Sequence, residues 1–136
     1  MKSIDQLMNE RTVQFKKAGG MLESGFVQVP RTITRAGSRI SHPAKIVFAT
    51  LLDYAWQDGF CYPAQQRLAR DISMNEKSVR KYLAELEGLE LIEIRKQGRG
   101  FPNKYLINDD APVLKEVKRE IEREQDERRK QQFRLS

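Results

Sequence analysis

Between residues 64 and 107 the sequence passes from helical to strand-like patterning, and that succession leaves few folds open. Two short helical patterns sit on either side of a three-residue turn, and two strand-like runs then flank a basic, glycine-rich loop. Pro63 suits a helix start, because its missing N–H is not needed in a first turn and its φ is already helical. Residues 66–72 place Leu68, Ala69 and Ile72 on one face. The turn Ser73-Met74-Asn75 offers two residues, Ser73 and Asn75, whose side chains can cap a following helix. Beyond it Val79, Leu83 and Leu86 recur at helical spacing with Tyr82 beside them, and Gly88 is expected to end or loosen this second helix.

At about 100° per residue, the face opposite Val79 and Leu83 carries Lys77 and Lys81, with Ser78 and Arg80 on its shoulders. Glu85, Glu87 and Glu90 fall toward the C-terminal end, so the first two turns are the part open to a polyanion, although Glu76 stands among them. Runs 91–96 and 104–107 read as paired strands around 97–103. That loop holds Gly98, Arg99, Gly100, Pro102 and Asn103, is flanked by Arg95, Lys96 and Lys104, and contains no acid from position 95 to 104. A cationic loop of this kind suits phosphate or minor-groove contact.

The run from Met74 to Glu87, followed by Gly88-Leu89-Glu90-Leu91-Ile92, resembles the recognition helix and following strand of winged-helix proteins. The basic hairpin ending Pro102-Asn103-Lys104-Tyr105 is similar to the wing of plasmid and phage replication initiators and of the N-terminal domains of DnaD-like primosome proteins. A more distant likeness is to the DNA-binding half of GntR-type and MarR-type transcription regulators. The resemblance spans positions 26–108 and implies DNA binding, with Lys77, Ser78, Arg80 and Lys81 at the exposed recognition-helix positions and Arg99 at the wing tip. Two departures stand out: the acid at Glu76, and the lack of an effector-domain pattern after the wing.

The rest of the chain completes that plan. Ser41-His42-Pro43 is a helix start with Ser41 as cap, and Ile46, Val47, Phe48, Leu51, Leu52, Ala55 and Trp56 supply a broad apolar face. Phe60-Cys61-Tyr62 reads as a short strand beside the hairpin, and residues 26–29 as a small strand held to an edge by Pro30. Ile4, Leu7, Met8 and Phe15 have helix-like spacing before Gly19-Gly20. From Pro112 a tail helix is expected, with Val113, Leu114, Val117 and Ile121 on one stripe and the pairs Lys118–Glu122, Glu124–Arg128 and Asp126–Lys130 at i,i+4. The expected fold is mainly α with a small β-hairpin: an N-terminal extension (1–25), a winged helix-turn-helix domain (26–108) and a charged helical tail (109–136).

A chain of 136 residues with net charge +6 has room for one core and favours an anionic partner. Its cations are not spread evenly. Arg31, Arg35, Arg39 and Lys45 lie in an acid-free run from position 26, which mirrors the acid-free hairpin. Both runs flank the helix pair, so the expected partner is double-stranded DNA rather than a membrane. Phosphate contacts are assigned to Arg31, Arg35, Arg39, Arg95, Lys96, Arg99 and Lys104, with Ser73, Asn75 and Asn103 alongside. A single Cys (Cys61) and a single His (His42) assemble neither a disulfide nor a metal site, and Gly98-Arg99-Gly100 lacks the Lys-Ser or Lys-Thr of a phosphate-binding loop. No enzyme activity and no cofactor are expected. With no apolar stretch of spanning length and no secretory signal, a cytoplasmic location is expected. The leading expectation is a plasmid or phage replication initiator or organiser, with a small transcriptional repressor and a protein-interaction winged helix as alternatives. A homodimer through the terminal helices and replication proteins are the further partners considered.

Overall fold

The computed structural model describes residues 24–135. The helix expected from Ile4, Leu7, Met8 and Phe15 lies outside them. A one-turn helix α1 (Arg31–Thr34) and a 3-10 turn (Gly37–Arg39) lead into α2 (His42–Tyr54), then β1 (Phe60–Cys61), α3 (Gln65–Ile72), α4 (Glu76–Gly88), β2 (Ile92–Arg95), β3 (Lys104–Ile107) and the long α5 (Pro112–Leu135). The sheet is antiparallel with order β1-β3-β2. Tyr105 on the central strand pairs with Cys61 on one side and Ile94 on the other, and is fully buried. This is a mainly helical winged helix-turn-helix domain with a small three-stranded sheet and a C-terminal helix.

Residues 26–29 do not form a strand. Their alternation is real, since Val27 and Val29 are half-buried while Phe26 and Gln28 are exposed, but among the described residues no strand lies beside them to take their backbone hydrogen bonds. Pro30 instead serves as the N-cap of α1, and Ile33 on that single turn reaches the core.

Helix α2 starts where expected: the Ser41 side chain accepts from the Ala44 N–H. Its buried stripe is Ala44, Val47, Phe48 and Leu51, continued by Ala55, and it faces α3 and α4. This stripe is narrower than the apolar face expected from helical spacing. Ile46 and Trp56 are more than half exposed: Ile46 lines an open groove of about 570 Å³ with Val27, Val29 and Tyr54, and Trp56 lines a neighbouring one with Phe26 and Asp58.

Both helices of the central pair end in the same way. After α3, the Met74 N–H donates to the Ala69 carbonyl and the Ser73 N–H to that of Arg70, with Ser73 left-handed at φ 56°. After α4, the Leu91 N–H donates to Leu86 and the Glu90 N–H to Glu87, with Glu90 at φ 62°. These are Schellman endings, in which a left-handed residue lets the chain return two N–H groups to the last turn. Gly88 is therefore an ordinary last helical residue, and the strained position is Glu90. Asn108 fixes this corner by donating its side-chain amide to the Glu90 carbonyl and its backbone N–H to that of Leu91.

The tail helix packs through its first turns only. Val113 and Val117 are buried, Leu114 and Ile121 are half-buried, and residues 122–134 are exposed. The expected i,i+4 pairs are not closed; the ion pair along this stretch is Asp126–Arg129, at 4.0 Å and i,i+3.

Candidate nucleic-acid interface

Asn75 fixes the start of α4: its Oδ1 accepts from the Ser78 N–H at 2.8 Å. Ser73 is spent on the left-handed ending of α3, so the turn's two cap candidates divide the work, one closing a helix and one opening the next. Val79, Leu83 and Leu86 pack inward, which turns Lys77, Arg80 and Lys81 to solvent and leaves Ser78 half-exposed. Lys77 has no acid within ion-pair distance among the described residues, Lys81 Nζ lies 5.4 Å from the Tyr82 ring centre, and Arg80 faces Glu76 at 3.8 Å one turn back. An exposed i,i+4 pair of that length is worth only a few tenths of a kcal/mol, so it does not withhold Arg80 from a stronger anion.

The acids of the second half of α4 are occupied by the fold. Both carboxylate oxygens of Glu85 accept from Ser41, and Glu87 Oε2 accepts from the Ile94 N–H at 3.3 Å. Glu85 is thereby held at the start of α2 and Glu87 at β2, while the first two turns carry Lys77, Arg80 and Lys81 beside Glu76.

The wing stands beside that end. One cleft is lined by Gln65 of α3, Arg80 and Glu87 of α4, Lys96, and Asn103 of the wing; a neighbouring one by Gln65, Gln66, Glu76, Phe101, Pro102 and Asn103. Arg80, Lys96 and Asn103, distant in sequence, thus meet across one opening. The wing tip turns through Gly98 (φ 106°) and Gly100 (φ 81°), both in the left-handed half of backbone space that favours glycine. Lys96 and Arg99 are exposed without an acid at ion-pair distance among the described residues.

The other assigned cations are differently placed. Arg95 is paired with Glu93 at 3.0 Å, and Lys104 Nζ sits 4.2 Å from the ring centre of Phe60 and 5.8 Å from that of Tyr62. Arg39 is held by α5, at 3.0 Å from Glu120 and 3.9 Å from Glu116. Those acids are more than seventy positions away in sequence, and Arg39 does not line the α4–wing clefts. Arg31 and Arg35 are exposed on and just after α1, which packs on α5, and they do not line the α4–wing clefts. Gln65, Gln66 and Phe101 do line them and were not assigned from sequence. A large apolar side chain in the middle of a basic loop was the available signal for Phe101.

Two helices joined at a tight turn, with a basic hairpin folded against the start of the second, define the winged helix-turn-helix class. In agreement, residues 38–92 match a family model described as a helix-turn-helix domain. The matched span covers α2 to the start of β2 and stops before the wing. A solved structure named "N-Terminal domain of DNA binding protein" is similar at 16% identity and TM-score 0.54, covering 93% of this chain and 95% of that one, a likeness of fold. The crystal structure of the YusO protein from Bacillus subtilis aligns at 17% identity and TM-score 0.44, over 85% of this chain and 76% of that one. No curated protein is significantly similar in sequence. Among the described residues, no helix is long and apolar enough to cross a membrane.

Proposed function

We propose that this protein binds double-stranded DNA sequence-specifically and without catalysis, with the first two turns of α4 in the major groove and the wing on the adjacent backbone and minor groove. The observation that carries this reading is the meeting of Arg80 on α4 with Lys96 and Asn103 of the wing around one opening, on a helix whose later acids are tied into the fold. Lys77, Ser78, Arg80 and Lys81 would face base edges, and Lys96 and Arg99 would hold phosphates. The helix-turn-helix match supports DNA as the partner.

For the biological process we propose initiation or organisation of plasmid or phage replication, supported by the likeness of the basic hairpin to the wings of such initiators. Selection of bound duplexes from a random library tests both levels. One enriched motif occurring as direct repeats in the replicon fits an initiator; a palindrome at the protein's own promoter points to a small repressor instead. No enrichment of any sequence contradicts specific DNA recognition.

A further inference from the structure

Phe101 is 70% exposed at the tip of the wing, a large apolar side chain held out to solvent in the middle of a basic loop. The loop does not leave it loose. The Phe101 N–H donates to the Gly98 carbonyl at 3.3 Å, closing a turn that Gly100 at φ 81° and the fixed φ of Pro102 bracket. Its neighbours Lys96 and Arg99 are exposed cations, and the ring lines the cleft that also receives Glu76, the first residue of α4. The residue is thus carried on the side of the molecule where α4 begins, on a loop that also bears the exposed cations Lys96 and Arg99.

We propose that Phe101 is a wedge, which enters the minor groove beneath the wing and partly unstacks one base step. The inference rests on the DNA-binding reading above and specifies what the wing does there. An apolar side chain on a loop with exposed cations is suited to that role, since the cations can hold the backbone while the ring replaces base–base stacking with base–phenyl stacking. The cost of unstacking is lowest at flexible pyrimidine–purine steps, so the wedge would add sequence preference at a position that α4 does not reach.

The test uses duplexes of the sequence enriched by selection, each carrying 2-aminopurine at a different step and fluorescein at one end. The whole 136-residue chain is titrated in, so that anisotropy reports binding and 2-aminopurine emission reports unstacking. A severalfold rise in emission is expected at one or two adjacent steps and nowhere else. Phe101→Ala should abolish the rise while anisotropy still saturates. Its affinity should fall by less than about tenfold, because without the ring the DNA forgoes base–phenyl stacking but also keeps its own base step stacked. Phe101→Leu, still apolar, should keep most of the rise. Because the side chain is exposed, both variants should melt at the wild-type temperature. Saturating anisotropy with flat emission at every step, or an undiminished rise in Phe101→Ala, would overturn the wedge and leave DNA binding standing. Anisotropy that saturates on no duplex would remove the DNA-binding reading, and the wedge with it.

Discussion

Ser41 and Glu85, 44 positions apart, are joined by two hydrogen bonds: the Ser41 N–H donates to Glu85 Oε2 at 2.8 Å and its hydroxyl to Oε1 at 2.7 Å. The carboxylate thereby sits at the N-terminus of α2, where unsatisfied N–H groups and the helix dipole favour a negative charge. One side chain ties the start of the core helix to the third turn of the helix assigned to DNA. Glu85→Ala should cost about 1.5–3 kcal/mol in urea unfolding, the range for hydrogen bonds to a charged group. Ser41→Ala combined with Glu85→Ala should cost less than the sum of the two. Additive effects would contradict a shared interaction.

The ending of α4 gives an opposed pair of expectations. Gly88 is helical with open space where a Cβ would point, so Gly88→Ala should stabilise by about 0.5–1 kcal/mol. Glu90 is left-handed, so Glu90→Gly should stabilise by about 1 kcal/mol. Were Gly88 the left-handed residue, its alanine variant would lower the melting temperature instead.

Arg39 is expected to act on the tail helix rather than on DNA. Its partners Glu116 and Glu120 are well exposed, so Arg39→Ala should change stability by no more than about 1 kcal/mol. DNA affinity should stay at the wild-type value in the same preparation. A loss of affinity with an intact melting curve would return Arg39 to the interface.

Cys61 is buried, its thiol 3.7 Å from the Leu51 carbonyl oxygen, and burial pushes its pKa from near 9 up to about 11. It should resist iodoacetamide at pH 8 in the folded protein and react once urea unfolds the chain. The unfolded thiol ionises first as pH rises, so the unfolded state binds fewer protons than the native one between pH 9 and 11. Stability should therefore fall across that window, by at most about 1.4 kcal/mol per unit, and Cys61→Ala should flatten the slope.

The order of elements from α2 to β3 was legible because each announces itself locally: Ser41 and Asn75 as caps, a 3.6-residue period in α4, alternation in β2. What stayed hidden depends on partners distant in sequence. Residues 26–29 alternate like a strand yet find no edge to join. Ile46 and Trp56 fit the helical period of α2, but among the described residues no element covers them. Glu90, not Gly88, takes the left-handed turn because the chain must reach β2 from that residue, where Asn108 holds the corner. The candidate site was legible on α4, whose exposed cations follow from which residues pack. The division of the other cations was not, since the pairing of Arg39 with Glu116 and Glu120 and the seating of Lys104 on Phe60 are tertiary contacts.

The most direct test of the central claim is the affinity of wild type, Arg80→Ala, Lys81→Ala and Arg99→Ala for the selected duplex and for an unrelated one, at two salt concentrations. Binding should weaken steeply with salt. The two α4 variants should each lose about 1–3 kcal/mol on the selected duplex where the side chain reads a base, and little on the other. Arg99→Ala should weaken both duplexes alike and lower the salt slope by about one. Equal affinity of all four proteins for the selected duplex would contradict the docking of α4 and the wing on DNA.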